Sequence, residues 1–186
     1  MLFRSGGDIK VGNVGGEATL STAGGDVRVG KVSGTATLKT AGGDVECNGA
    51  TGPVVAKTAG GDLRLSGISG SIEAATAGGD IRAELNPTGS GPSSLTTAGG
   101  SVSLYLPENA KATVQALIRI EGRWKTNSAR YDIRSDFKAA AYTKDEDAEE
   151  IRASYELNGG GQVITVKKVN GDIQIRKAGA LPAERK

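Results

Sequence analysis

Thr22-Ala23-Gly24-Gly25-Asp26, Thr40-Ala41-Gly42-Gly43-Asp44, Thr58-Ala59-Gly60-Gly61-Asp62 and Thr76-Ala77-Gly78-Gly79-Asp80 return at intervals of 18 residues, the Gly-Gly-Asp core also begins at Gly6, and a near-copy begins at Gly99. A short fixed period means that each unit buries its apolar face only against its neighbours, as in a solenoid. The unit divides into two nonapeptides, 6–14 and 15–23, and this division runs without a gap through residue 86. The second position is glycine in all nine nonapeptides, from Gly7 and Gly16 through Gly70 and Gly79. Glycine enters positive φ without steric cost, so the column predicts a corner where each strand turns into the next.

The fourth position is apolar throughout: Ile9, Ala18, Val27, Ala36, Val45, Val54, Leu63, Ile72 and Ile81. So is the sixth, which includes Val11, Leu20, Val29, Leu38, Cys47 and Leu65, while the fifth is mostly Lys, Arg, Thr or Glu. Apolar, polar, apolar is strand periodicity with the even positions inward. Coils stacked about 4.8 Å apart place equivalent residues over one another. The core is therefore expected as ladders, Ile9-Val27-Val45-Leu63-Ile81-Val102 and Val11-Val29-Cys47-Leu65-Ala83-Leu104. Each fully buried Val, Leu or Ile contributes roughly 1.5–3 kcal/mol. A ninth-position column, with Val14, Val32 and Ile68 alternating with Ala23, Ala41, Ala59 and Ala77, reads as a third inward residue, and its alanines predict a thin solenoid.

The expected fold is all-β: a single-stranded parallel β-solenoid, or β-helix, with 18-residue coils built from two nonapeptides. One domain is expected over 1–178. It comprises regular coils over 1–106, an irregular insert or layer over 107–151, final coils over 152–178, and a disordered tail at 179–186. Pro87, Gly89, Gly91 and Pro92 mark a loop leaving one corner. A long alternating strand, Ala112, Val114, Ala116, Ile118 and Ile120, remains legible inside the insert. Leu2 occupies a sixth position, so the chain starts inside a coil. Either further coils precede it or the first coil leaves a sheet edge open.

Composition narrows the function classes. Net charge is +2 with mixed signs, so nucleic acid is not an expected partner. With one cysteine and no histidine, an intramolecular disulfide and the common zinc constellations are excluded. Cys47 reads as a small buried hydrophobe of its ladder. No apolar run is long enough to span a bilayer, and the N-terminus has no signal-peptide core. No cofactor and no metal is expected.

The sharpest candidate for chemistry is the aspartate column, with Asp26, Asp44, Asp62 and Asp80 as binding candidates after Asp8. Stacked carboxylates repel unless solvated or compensated. Two positions on lie Lys10, Arg28, Glu46, Arg64 and Arg82, which supports an alternating acid-and-base ladder or aspartates bonded to turn amides. A calcium β-roll needs aspartate at the sixth position, where this chain has Val11, Val29, Cys47 and Leu65. The threonine column of Thr22, Thr40, Thr58, Thr76 and Thr97 reads as hydroxyls bonding along the stack rather than an ice-binding array. Arg123, Trp124 and Tyr131, in a basic stretch of the insert, form the other candidate binding patch. No catalytic residue is predicted, and an 18-residue coil leaves little room for a cleft.

The Thr-Ala-Gly-Gly-Asp repeats, with Asn158-Gly159-Gly160-Gly161 and Asn170-Gly171-Asp172-Ile173, resemble the bacterial adhesin-like family of Gly-Gly-Asp β-strand repeats, a β-solenoid domain of unknown function. The resemblance covers nearly the whole chain. It implies an extracellular or cell-envelope location and a non-catalytic adhesive or scaffolding role through flat faces and loops. The ligand would be a surface protein or polysaccharide. Two other readings stand beside it: a self-assembling, bactofilin-like structural polymer joined end to end through open coil edges, and a carbohydrate-active β-helix enzyme.

Overall fold

Each 18-residue coil contributes one strand to each of two parallel sheets. The computed structural model describes residues 2–89, 91–121, 131–145 and 149–179. The first nonapeptide of successive coils forms β2 (Ile9–Val11), β4 (Val27–Val29), β6 (Val45–Cys47), β8 (Leu63–Ile68), β10 (Ile81–Leu85) and β12 (Val102–Leu106). The second forms β3 (Ala18–Thr22), β5 (Ala36–Lys39), β7 (Val54–Lys57), β9 (Ile72–Thr76) and β11 (Ser93–Thr97), preceded in space by β1 (Leu2–Ser5). These are the coils of a β-solenoid. The first ladder keeps register across coils: Ile9 pairs with Val27, Val27 with Val45, Val45 with Leu63, Leu63 with Ile81 and Ile81 with Val102, while β8 and β10 shift register beyond Ala83 so that Leu85 lies opposite Ile68.

The expected ladders line the space between the sheets, and their members are fully buried apart from half-buried Val11. A third, short ladder of isolated bridges joins Val14, Val32, Ala50 and Ile68 at one corner. The other ninth-position residues do not join it. Ala23, Ala41, Ala59, Ala77 and Ala98 are exposed, and the threonine before each is buried instead. Thr22, Thr40, Thr58 and Thr76 turn inward because each hydroxyl donates to a corner carbonyl, Gly7, Gly25, Gly43 and Gly61 respectively, at 2.7–3.0 Å. The hydroxyls thus bond the backbone of the turn, not one another.

The glycine column also differs from expectation in its cause. None of Gly25, Gly43, Gly61 and Gly79 has a φ in the left-handed region. What forbids a side chain is the coil beneath: a Cβ on Gly43 would lie 2.2 Å from the Gly25 carbonyl oxygen, and one on Gly61 2.1 Å from that of Gly43. The corners stack backbone on backbone. Gly7 and Gly16, in the first coil, have nothing within 4 Å of that position.

The chain then departs from simple coiling. The alternating strand read at 112–120 is β13 (Ala112–Arg119), with Ala112, Val114, Ala116 and Ile118 buried. Three short or hairpin strands follow, β14 (Ile133–Ser135), β15 (Ala141–Asp145) and β16 (Glu150–Leu157), then β17 (Gln162–Val169) and β18 (Ile173–Lys177). One sheet reads β1-β3-β5-β7-β9-β11-β17-β13-β16-β15, the other β14-β18-β12-β10-β8-β6-β4-β2. β18 continues the first-nonapeptide ladder, with Ile173 over Val102.

β16 corrects the reading of final coils from residue 152, because it runs antiparallel to β13 rather than forming another parallel turn. After β16 the chain turns back to the parallel direction at Asn158, Gly159, Gly160 and Gly161, with φ of 52°, 83°, 78° and 153°. This turn straddles the start of β13, which pairs with β16 on one side and with β17 on the other. Asn158 donates to the carbonyls of Glu108 and Ala110, and a Cβ on Gly161 would meet the Lys111 carbonyl at 2.4 Å. β17 therefore slots between β11 and β13, although it follows both in sequence. No helix among the described residues is long and apolar enough to cross a membrane.

Candidate functional site

The aspartate column is built into the stack. One oxygen of each carboxylate accepts the backbone N–H of the equivalent residue in the next coil: Asp8 from Asp26, Asp26 from Asp44, Asp44 from Asp62, Asp62 from Asp80 and Asp80 from Ser101, at 2.6–2.9 Å. The second oxygen of Asp26 pairs with Arg28 at 2.7 Å, and those of Asp44 and Asp62 with Arg64 at 3.0 and 2.9 Å. The Asp62 amide first, and then Arg64, hold the Asp44 carboxyl below its ordinary value against partial burial. These groups hold coils together, and Asp62, Arg64, Asp80 and Arg82 line a small cleft of about 200 Å³ between neighbouring coils. Among the described residues no cluster of His, Cys, Asp or Glu could hold a metal ion.

Of the insert candidates, Tyr131 is half-buried and packs against the core. Arg123 and Trp124 lie outside the described residues, as does the tail from residue 180. Near Tyr131, Asp132 accepts the Tyr142 hydroxyl at 2.9 Å, and burial together with this carboxylate pushes the Tyr142 phenol up to about 12. Asp132 also extends the amide ladder, since its own N–H donates to Asp172 at 3.0 Å.

Another concave feature lies on the outer face of the longer sheet, where β17, β13, β16 and β15 meet. It is an open groove of about 390 Å³. Strand alternation sends every second residue to this face, and register arranges them in two rows. The first is Thr165, Gln115, Ser154 and Ala141, and the second Lys167, Leu117, Arg152 and Thr143. Leu117 is half-buried between two cations. Glu150, at the edge, accepts Arg152 Nε at 2.9 Å and Arg119 Nε at 3.4 Å, and its carboxyl is held low by Arg152 foremost and then by Arg119. The lining itself carries hydroxyls, an amide, two cations and apolar carbon, with no carboxylate. Its hydrogen-bonding groups are spaced along an open trough. It offers no pair of groups for general acid and base work.

None of these lining residues is marked by a motif. Gln115 and Leu117 sit at outward positions of a recognisable strand, but their juxtaposition with Lys167 and Arg152 depends on β17 entering between β11 and β13 and on β16 running backwards. Alternation alone names the outward residues; strand order alone gathers them.

At the inner corner beside the groove, Lys168 is buried, with 2% of its surface exposed. It pairs with Thr97 in register and so occupies the threonine column. Its ammonium donates to the carbonyls of Ala98 and Val169 at 2.8 and 2.6 Å, and burial lowers its pKa. A Cβ on Gly171 would fall 2.4 Å from Lys168 Cε, so the missing side chain makes room for the lysine.

The model of the family Toastrack DUF4097 matches residues 2–176. No curated protein and no solved structure matches the chain.

Proposed function

Because the chain belongs to the Toastrack DUF4097 family of β-solenoid domains, we propose that it is a non-catalytic, adhesin-like binding module of the bacterial surface or envelope, and that it engages its partner through the outer face of the longer sheet. The observation that carries this reading is the groove across β17, β13, β16 and β15, whose lining combines hydrogen-bonding groups with the half-buried Leu117 and contains no carboxylate. A flat, stacked sheet is stiff, so its outward side chains are held in fixed spacing without a binding loop having to be ordered, which lowers the entropic cost of association.

The family has no known catalytic activity, and the groove chemistry suits adhesion better than turnover. The purified domain is expected to bind polysaccharides or intact bacterial cells. Ser154→Trp, which fills the groove from an outward position, is expected to abolish that binding while leaving the unfolding midpoint unchanged. Binding unaffected by Ser154→Trp, or no binding across a broad panel of glycans and cells, would overturn the proposal.

A further inference from the structure

We infer that the ligand of this face is an acidic polysaccharide lying across the strands, along the row of cations that leads into the groove. The inference rests on the binding role proposed above and adds the chemical class of the ligand.

The second row of the groove does not end at Lys167. Register continues it through Thr96, Ala75, Lys57 and Lys39 to Ser21. From Lys39 to Arg152 the row crosses seven strands, carries Lys39, Lys57, Lys167 and Arg152, and contains no acidic residue. At about 4.8 Å per strand this line of positive charge extends roughly 30 Å. Directly opposed like charges disfavour the sheet, so Lys39 beside Lys57 is an arrangement the fold does not ask for.

The acids near the row pair with two of its four cations and leave Lys39 and Lys167 to a ligand. Glu73, one row away, pairs with Lys57 at 2.5 Å. Glu150 is shared by Arg119 and Arg152. Among the described residues Lys39 and Lys167 have no carboxylate within ion-pair distance, and both are exposed. A small anion would meet only one or two of these charges. A linear polymer with anionic groups at intervals meets all of them.

The neighbouring chemistry selects the polymer. Thr37, Ser94, Thr165, Gln115 and Ser154 belong to the parallel row alongside, which also holds Val55 and the Lys57-paired Glu73, and Thr96 and Thr143 add hydroxyls within the cationic one. Hydroxyl and amide groups suit the many hydroxyls of a sugar chain. Neither row contains an aromatic side chain, so nucleic-acid bases would find no stacking platform.

The test uses the full chain with polygalacturonate as acidic glycan, dextran as neutral glycan and single-stranded DNA as a non-sugar polyanion, each measured by biolayer interferometry. Polygalacturonate is expected to bind in preference to the other two, and its affinity to fall by about tenfold or more between about 50 mM and about 200 mM salt, as for any chain held by several charges. Lys39→Glu with Lys167→Glu, both exposed, is expected to weaken it further by about tenfold with an unchanged unfolding midpoint. Dextran binding that is insensitive to salt and to the double variant would overturn the acidic class while leaving the binding role standing. DNA binding as tight as that of the glycan would overturn the choice of a sugar polymer. Failure to bind any glycan or cell would remove both readings.

Discussion

Asp44 reaches across one coil spacing to accept the backbone N–H of Asp62 at 2.8 Å, while its other oxygen holds Arg64 at 3.0 Å. One side chain thus satisfies an amide of the following coil and a cation that bridges to it. Asp26, Asp62 and Asp80 repeat the amide bond, so the column is a fastening that runs up the stack.

Asp44→Ala is expected to lower stability by about 1 kcal/mol, the net worth of one hydrogen bond, and Asp44→Asn by less because its side-chain carbonyl still accepts the Asp62 amide. The sign of the acid response follows from the lowered carboxyl pKa. Its stabilisation is complete above the unfolded value near 3.8 and is lost as pH falls through the lower folded value. Urea titrations below pH 4 should therefore show a steeper loss in the wild type than in Asp44→Asn; parallel curves would contradict the role.

Gly43→Ala and Gly7→Ala separate steric stacking from backbone conformation. A Cβ at Gly43 meets the Gly25 carbonyl at 2.2 Å, and at Gly7 it meets nothing within 4 Å. The first change is expected to cost about 3 kcal/mol or to prevent folding, the second to stay within about 0.5 kcal/mol. Equal losses measured by chemical denaturation would return the column to a φ requirement.

Cys47 lies in the ladder between Val29 and Leu65 with none of its surface exposed, and burial pushes its thiol above the ordinary value. The native protein should not react with a disulfide reagent such as DTNB until it unfolds. Cys47→Val should cost less than about 1.5 kcal/mol as a near volume match. Rapid labelling of the folded protein at neutral pH would show that the ladder is open there.

Lys168 predicts a response at the alkaline end. Burial lowers its folded pKa below 10.5, so the unfolded chain binds the proton more tightly. Stability from this residue is lowest below the folded pKa and rises with pH up to the unfolded value. The difference in unfolding midpoint between wild type and Lys168→Thr, which restores the residue of the column, should move in favour of the wild type between neutral pH and pH 10. A constant difference would mean that the lysine pays no penalty for its charge.

The repeat made the coils legible because side-chain alternation and an 18-residue return are local facts, visible in the spacing of Ile9, Val27 and Val45. Local pattern could not separate two reasons for glycine, since positive φ at Gly159 and a carbonyl pressing on Gly43 select the same residue. Nor could it show which of two adjacent small residues turns inward: Thr58 takes the interior over Ala59 because its hydroxyl finds the Gly43 carbonyl there.

By itself, then, the sequence determined the two-sheet solenoid, its ladders from Ile9 to Val102 and the place of Cys47 within them, because a side chain's face follows from its position in a strand. The tertiary structure decided the direction of β16, the entry of β17 between β11 and β13, and so the meeting of Lys167, Leu117 and Arg152 on one face. Those pairings join residues up to several tens of positions apart through backbone hydrogen bonds, which every residue but proline can donate, and no side-chain spacing records which strands will make them.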